Sequence, residues 1–232
     1  MMVIRLLINI PYFSDLTIEE LENLVASSEM RSYPTGSVVL RKGDVGEMVY
    51  LIVKGRVKVV VTHPDGKEII LNVLKSGDFF GEMAIFGDMP RSATVVAEGA
   101  CEFLVISREI IIDQIRKHPT IALKLLSDMS QRVREADEQI CGLTHLDANG
   151  RVAQTLLKLS RESDMVTDEG YRVFPAPAVE DIAAMSGTSK EKVSRLLTEL
   201  HNKGIIGLTE EYVLIYDRLD IEDDRVEKSG TV

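Results

Sequence analysis

The stretch Phe80–Val95 collects the residue types that an anion site needs. Gly81 lets a ligand come close to the backbone, and the short apolar run after it could form a helical turn whose N–H groups face an anion. Arg91 offers a planar fork for a phosphate, and Ser92 adds a hydroxyl. Glu82 beside a phosphate would be repelled unless it accepts hydrogen bonds from sugar hydroxyls, as an acid does on a nucleotide ribose. The same residues would also serve a plain hairpin connection stapled by an Arg–Glu salt bridge. Residue types alone leave both readings open.

A second constellation lies at Gly187–Gly204. Glu191, Ser194 and Arg195 fall at i, i+3 and i+4, on one face of one helical turn. An Arg can grip guanine O6 and N7, a Glu can accept from cytosine N4, and a Ser can bond either partner. Ser189 opens the same turn, and Lys190, Lys192 and Lys203 are placed to meet phosphates. Four basic residues against two acidic ones leave this segment at +2 in a chain of net charge −10. Glu191 is also the third residue after Thr188, so a capping box is a competing role for it. Leu196, Leu197, Leu200 and Ile205 read as core.

Three kinds of element must position these groups. The first is a long helix over Pro119–Leu146. Its apolar positions Ala122, Leu126, Met129, Val133, Ala136, Ile140 and Leu143 step by 4 and 3 in alternation. That is a heptad seam, and the rest of the cylinder reads as solvated. A helix of this length spans roughly 40 Å, and its seam fits a second copy of the chain.

Before the helix the texture is strand and turn, with a capped helix at Thr17–Ser27 (Thr17 and Glu20 as the capping box, Leu16 and Leu21 as the staple). Apolar alternation at Val57, Val59 and Val61, and runs at 49–53, 69–73, 93–96 and 101–105, suggest a small sandwich or barrel. A helix at Arg108–His118 leads to the seam. After Leu146–Gly150 come a helix at Arg151–Arg161, a polar loop at Glu162–Tyr171, and helices at Val179–Met185 and Ser189–Asn202. A hairpin follows, with strands Ile205–Leu208 and Tyr212–Tyr216. Two short helices around a Gly-containing turn, then a hairpin, outline a winged helix-turn-helix. The tail from Asp217 is charged.

Composition narrows the classes. A net charge of −10 argues against a non-specific nucleic-acid coat and against an anionic-membrane binder. Two cysteines, Cys101 and Cys141, stand far apart in apolar sequence; this fits a reducing cytoplasm, inert buried thiols, and no metal site. The four histidines (63, 118, 145 and 201) are scattered, with no nucleophile–base spacing, so no enzyme is indicated. The apolar start, Met1–Ile10, reads as a core-docking segment, and no run reaches transmembrane length.

Three motifs together resemble the cyclic-AMP receptor protein / fumarate-nitrate reductase regulator superfamily of bacterial transcription factors. They are Gly81-Glu82 with Pro90-Arg91-Ser92-Ala93, the hinge-like Leu146–Ala153, and Gly187–Arg195. The resemblance runs from about Ile10 to Tyr216. It implies an α+β fold with a cyclic-nucleotide-binding β-roll at 1–118, a dimerisation helix at 119–146, a winged helix-turn-helix at 147–216, and a charged tail at 217–232. It further implies that Glu82 accepts the ribose 2′-hydroxyl, that Arg91 and Ser92 hold the cyclic phosphate, and that Gly81 and Met83 offer backbone. The base would reach Ala136 and Asp137, where hydroxyl residues stand in nucleotide-binding members. Asp137 is an acceptor when ionised and could take an adenine amino group or the paired N–H groups of guanine. Cyclic AMP is therefore the favoured effector, with cyclic GMP in competition. Glu191, Ser194 and Arg195 resemble the oxygen-sensing branch, which carries an iron–sulfur cluster on N-terminal cysteines. Cys101 is the first cysteine here, so no cluster is expected, and no haem ligands stand out. The expected partners are a palindromic double-stranded DNA operator, a second copy of the chain and RNA polymerase (through loops such as Glu162–Gly170), with no membrane. A same-fold regulator that binds no nucleotide, constitutive or redox-responsive, is the alternative.

Overall fold

The computed structural model describes residues 2–62, 68–87, 89–161, 166–167, 170–173, 176–209 and 211–216. It divides into two compact units, Met1–Asp137 and Glu138–Val232. The expected turn at His63–Gly66, the charged tail from Asp217, and most of the Glu162–Gly170 loop proposed to meet RNA polymerase lie outside the described residues.

The first unit opens with α1 (Met2–Asn9), a 3-10 turn (Pro11–Phe13) and α2 (Ile18–Ala26). Thr17 caps α2 in a reciprocal box with Glu20. Eight strands follow: β1 (Glu29–Tyr33), β2 (Val38–Leu40), β3 (Met48–Lys54), β4 (Arg56–Thr62), β5 (Glu68–Lys75), β6 (Phe79–Phe80), β7 (Thr94–Ala97) and β8 (Cys101–Ser107), with α3 (Glu82–Phe86) between β6 and β7. They form two antiparallel sheets, ordered β1-β8-β3-β6 and β2-β7-β4-β5. Helices α4 (Arg108–Lys117) and α5 (Thr120–His145) follow.

Strands β3 and β8 are buried on both faces, which is why they read as continuous apolar runs. Val49, Leu51, Val53, Leu104 and Ile106 face a core shared with Leu7, Leu21, Leu24, Ile111, Ile121 and Leu125. Tyr50, Ile52, Phe103 and Val105 face the other way, into the core between the sheets with Val57, Leu74, Phe80 and Val95. Each fully buried Leu, Ile or Phe contributes on the order of 2 kcal/mol. In β4 the expected Val57-Val59-Val61 alternation fails. The register against β5 shifts between Val59 and Val60, so Val57 and Val60 are the buried residues. A bulge adds one residue and flips the side-chain parity beyond it.

Helix α5 carries the seam, and the seam is bare in the single chain. Leu126, Val133, Ile140 and Leu143 are 59–60 % exposed. The same helix uses a second stripe inward: Ile121 and Leu125 are buried, and Asp128 and Arg132 are half-buried. The expectation that everything off the seam is solvated is thereby corrected. Cys101 is buried, its thiol donating to the carbonyls of Arg56 and Gly99, whereas Cys141 beside the seam is exposed, against the expectation that both thiols are buried.

The second unit holds the end of α5, then α6 (Ala148–Arg161), β9 (Val166–Thr167), β10 (Gly170–Val173), α7 (Val179–Ser186), α8 (Lys190–Asn202), β11 (Ile206–Leu208) and β12 (Val213–Ile215). Helix α6 starts earlier than expected, because Asp147 accepts from the Gly150 N–H at 2.8 Å and satisfies the helix start. The polar segment read as a loop contains β9 and the start of β10, and the two strands extend the hairpin to a four-stranded sheet, β11-β12-β10-β9. Strand pairing supplied by distant residues overrides the weak local signal there. The core joins Val152, Leu156, Ile182, Val193, Leu196, Leu197, Ile206 and Val213, with Leu200 and Ile205 only partly buried at its margin.

Candidate functional site

Gly81 occupies the left-handed region (φ 87°) at the N-terminal end of α3. A side chain there would meet the Arg91 guanidinium and the Met48 carbonyl, so the residue must be glycine for both conformation and space. Arg91 is only 6 % exposed. Its backbone pairs with Gly43 and Asp44, which fixes where the side chain starts. Its Nη1 donates to the Gly81 carbonyl at 2.5 Å and its Nη2 to the Met48 carbonyl at 2.8 Å. Burial lowers its pKa below the usual guanidinium value. A guanidinium carries five N–H groups, so the fork keeps further donors for a ligand.

Glu82 is 4 % exposed and burial raises its pKa. Its partner is Arg132 on α5, at 3.0 Å from Nη1. Arg132 also donates through Nη2 to the Phe79 carbonyl at 2.8 Å and pairs with Asp128 at 3.0 Å. Asp78 nearby is held above the ordinary carboxylate range, mainly by burial. The Tyr12 hydroxyl is pushed up by burial and by the facing Asp128 carboxylate. Three carboxylates, a guanidinium and a phenol thus meet where α5 crosses the sheet.

The predicted residues converge. Gly81, Glu82, Met83, Arg91 and Ser92 line one cavity of about 70 Å³, with Leu40, Val59, Leu74, Phe80 and Arg132. Ser92 is exposed at its edge and its hydroxyl lies 3.6 Å from the Met83 sulfur. Ala136 and Asp137 are exposed on α5 and do not line the cavity. The simple Arg91–Glu82 staple is not what forms: Arg91 holds carbonyls and Arg132 holds Glu82. Arg132 escaped the sequence reading. Its signal was a second stripe, Ile121, Leu125, Asp128 and Arg132, stepping 4, 3, 4 beside the seam.

In the second unit Gly187 ends α7 in the left-handed region (φ 60°), and Ser189 opens α8. Ser189, not Thr188, is the cap; its hydroxyl accepts from the Lys192 N–H, so it serves the helix end. Val193, Leu196 and Leu197 bury one face, which leaves Glu191, Ser194 and Arg195 exposed on the other. Lys190 is paired with Glu180 at 2.9 Å and Lys203 with Glu199 at 2.6 Å. Arg151 lies inside the hinge-like stretch, but its bonding there was not legible from sequence. Its guanidinium donates to the carbonyls of Leu146, Ser186 and Gly187, tying the end of α5 and the start of α6 to the turn before α8.

Comparison with known proteins bears on both regions. Residues 30–118 match the cyclic nucleotide-binding domain family and residues 150–222 the Crp-like helix-turn-helix domain family. The chain is 34% identical over 198 residues to the cAMP-activated global transcriptional regulator CRP of Escherichia coli O157:H7, covering 84% of this chain and 93% of that protein. The chain belongs to the CRP/FNR family of transcription regulators. Another member, the cyclic AMP receptor protein of Thermus thermophilus, is 35% identical over 198 residues, covering 85% of this chain and 88% of its own length. The solved structure of the c-di-GMP responsive global regulator CLP from Xanthomonas campestris superposes with a TM-score of 0.72 at 26% identity, over 86% of this chain and 99% of that one. The family fold, an N-terminal nucleotide-binding-type roll and a C-terminal winged helix-turn-helix that binds DNA, is the fold described above. Among the described residues no helix is long and apolar enough to cross a membrane.

Proposed function

We propose that the chain is a cytoplasmic, homodimeric regulator switched by a cyclic nucleotide bound in the roll. The observation that carries this is the convergence of Gly81, Glu82, Met83, Arg91 and Ser92 on one cavity. Arg91 and Ser92 would take the cyclic phosphate and Glu82 the ribose hydroxyl. Glu82 is engaged by Arg132, so a ribose must share or displace that pair. Because Arg132 stands on α5, the ligand's arrival is felt by the helix that carries the seam. Only a ligand whose affinity differs between two arrangements of that helix can act as a switch.

The exposed seam supports the dimer. A stripe of Leu126, Val133, Ile140 and Leu143 on one helix has the spacing of a knobs-into-holes surface and is left exposed by the described residues. Two copies would set two α8 helices into successive major grooves roughly 34 Å apart. Arg195, Glu191 and Ser194 would read base edges of a palindromic operator, with Lys192 on phosphate. Contact with RNA polymerase follows from the family's role in transcription. The relatives named as responding to cyclic AMP favour that effector; Asp137 keeps cyclic GMP in contention, and the c-di-GMP response of CLP adds a third nucleotide.

A second reading, a regulator needing no nucleotide, draws on one observation. Arg132 already pairs with Glu82, and two carbonyls already take donors of Arg91. Calorimetric titration with cyclic AMP, cyclic GMP and c-di-GMP separates the two, together with sedimentation for the dimer. One of the three is expected to bind, and Arg91→Ala to abolish its heat. Silence from all three in the wild type establishes the nucleotide-free reading.

A further inference from the structure

We propose that Glu180 is a specificity-setting residue of the DNA-reading element, acting through Lys190. The inference rests on α8 being the helix that meets DNA. Lys190 is the first residue of α8, and its ammonium lies 2.9 Å from the Glu180 carboxylate in the first turn of α7. In a helix-turn-helix the second helix presents its N-terminal residues to the groove while the first crosses the phosphate backbone. The pair therefore sits where a DNA strand passes.

The charge balance shows what the pair does. Lys190, Lys192 and Arg195 against Glu191 give the first two turns of α8 a net charge of +2; Glu180 and Asp181 at the start of α7 cancel it. Arg195 is exposed and makes no hydrogen bond or ion pair among the described residues. The two lysines at the ends of α8 are both engaged, Lys190 by Glu180 and Lys203 by Glu199. They differ in kind. Lys203 pairs within its own helix at i, i+4, far from the N-terminal turn, whereas the Lys190 pair joins two helices at the reading end.

Binding to arbitrary DNA is almost wholly electrostatic, whereas operator binding adds base contacts. A lysine paired with Glu180 has part of its charge neutralised and is drawn toward α7. A freed lysine takes whichever phosphate is nearest and so strengthens binding to any sequence. Glu180 thus suppresses non-specific binding at little expense to the operator.

Glu180 also has a plainer role to exclude. Ala178 offers no side-chain cap to α7, and the Glu180 carboxylate accepts from its own N–H there. An acid at that position stabilises the helix dipole whether or not DNA binds. Thermal stability reads that role, and salt dependence reads the proposed one.

The experiment uses the full-length protein and two fluorescent 30-base-pair duplexes, one selected by the wild type from a random library and one scrambled. Affinity is measured from 50 to 300 mM salt. Glu180→Gln is expected to raise affinity for the scrambled duplex about fivefold at 150 mM, and to steepen the log–log salt slope by about 0.9, the equivalent of one added phosphate contact. The operator gains less, so the specificity ratio narrows. Lys190→Ala is expected to cost little in the wild type and to remove the whole gain in the Glu180→Gln background. An unchanged salt slope, or a Lys190→Ala effect equal in both backgrounds, overturns the proposal. Arg195→Ala is the control for the underlying reading. If it weakens operator binding while Glu180→Gln changes nothing, only the present inference fails. If it too changes nothing, α8 is not the reading helix.

Discussion

The two regions hold their charges in opposite ways. In the roll, Glu82, Arg91 and Arg132 are buried or half-buried, and each is bound to another group of the protein before any ligand arrives. On α8, Glu191, Ser194 and Arg195 face solvent. Buried charges are costly to leave alone, so the cavity is a paired set, in which a ligand reaching Glu82 would have to share or displace Arg132. Exposed charges wait in water at almost no expense and have no buried protein partner to give up when a ligand arrives. The first arrangement suits a switch and the second suits a reader. Substitutions in the roll should therefore show in stability and ligand response, and those on α8 in DNA affinity alone.

The largest effect expected is on α8. Arg195→Ala should weaken operator binding on the order of 10- to 100-fold, the loss of one bidentate base contact. Its unfolding free energy should move by less than about 0.5 kcal/mol, as for an exposed substitution. A gel-shift titration and a urea melt together check both halves. A large stability loss would break the contrast.

In the roll the reverse holds. Arg132→Leu leaves Glu82 buried without its partner. Losing one member of a buried pair costs about 3–5 kcal/mol, and we discount that to about 2 kcal/mol because the Arg132 side chain is 28% exposed. Urea unfolding measures it, and the double variant Arg132→Leu/Glu82→Gln should recover part of the loss. Gly81→Ala comes next, at about 1–2 kcal/mol from its left-handed backbone, with displacement of the Arg91 fork.

The smallest effect is a pH signature. Burial raises the Glu82 pKa above its ordinary 4.5, so the folded chain holds that proton where the unfolded chain has released it. Wild-type stability carries a loss as pH rises through that window, and Glu82→Gln does not. The stability difference, variant minus wild type, should shift in favour of the variant as pH rises above 4.5. Unfolding at several pH values shows the slope; a difference constant with pH would mean Glu82 titrates as an exposed acid.

What the sequence could reveal followed range. The exposed face of α8 was legible because it is local: one helical turn sets Glu191, Ser194 and Arg195 side by side. The α2 capping box and the α5 seam were legible for the same reason. The pocket's residue types were legible too, but its pairings were not. Arg132 lies fifty residues beyond Glu82, and only the crossing of α5 over the sheet brings them together. The bulge at Val59/Val60 and the strands β9 and β10 also depend on what pairs with them. Ser189 in place of Thr188 as the α8 cap is a shift of one residue, the scale at which local patterns stop deciding.

A switch of the proposed kind requires the paired charge set in the roll to govern the open one on α8. Fluorescence anisotropy of the selected duplex with the full-length protein, with and without saturating cyclic AMP, tests it most directly. The nucleotide should strengthen DNA binding by tenfold or more, and Arg91→Ala should remove this gain while leaving ligand-free affinity as it was. A gain that survives in Arg91→Ala would contradict it.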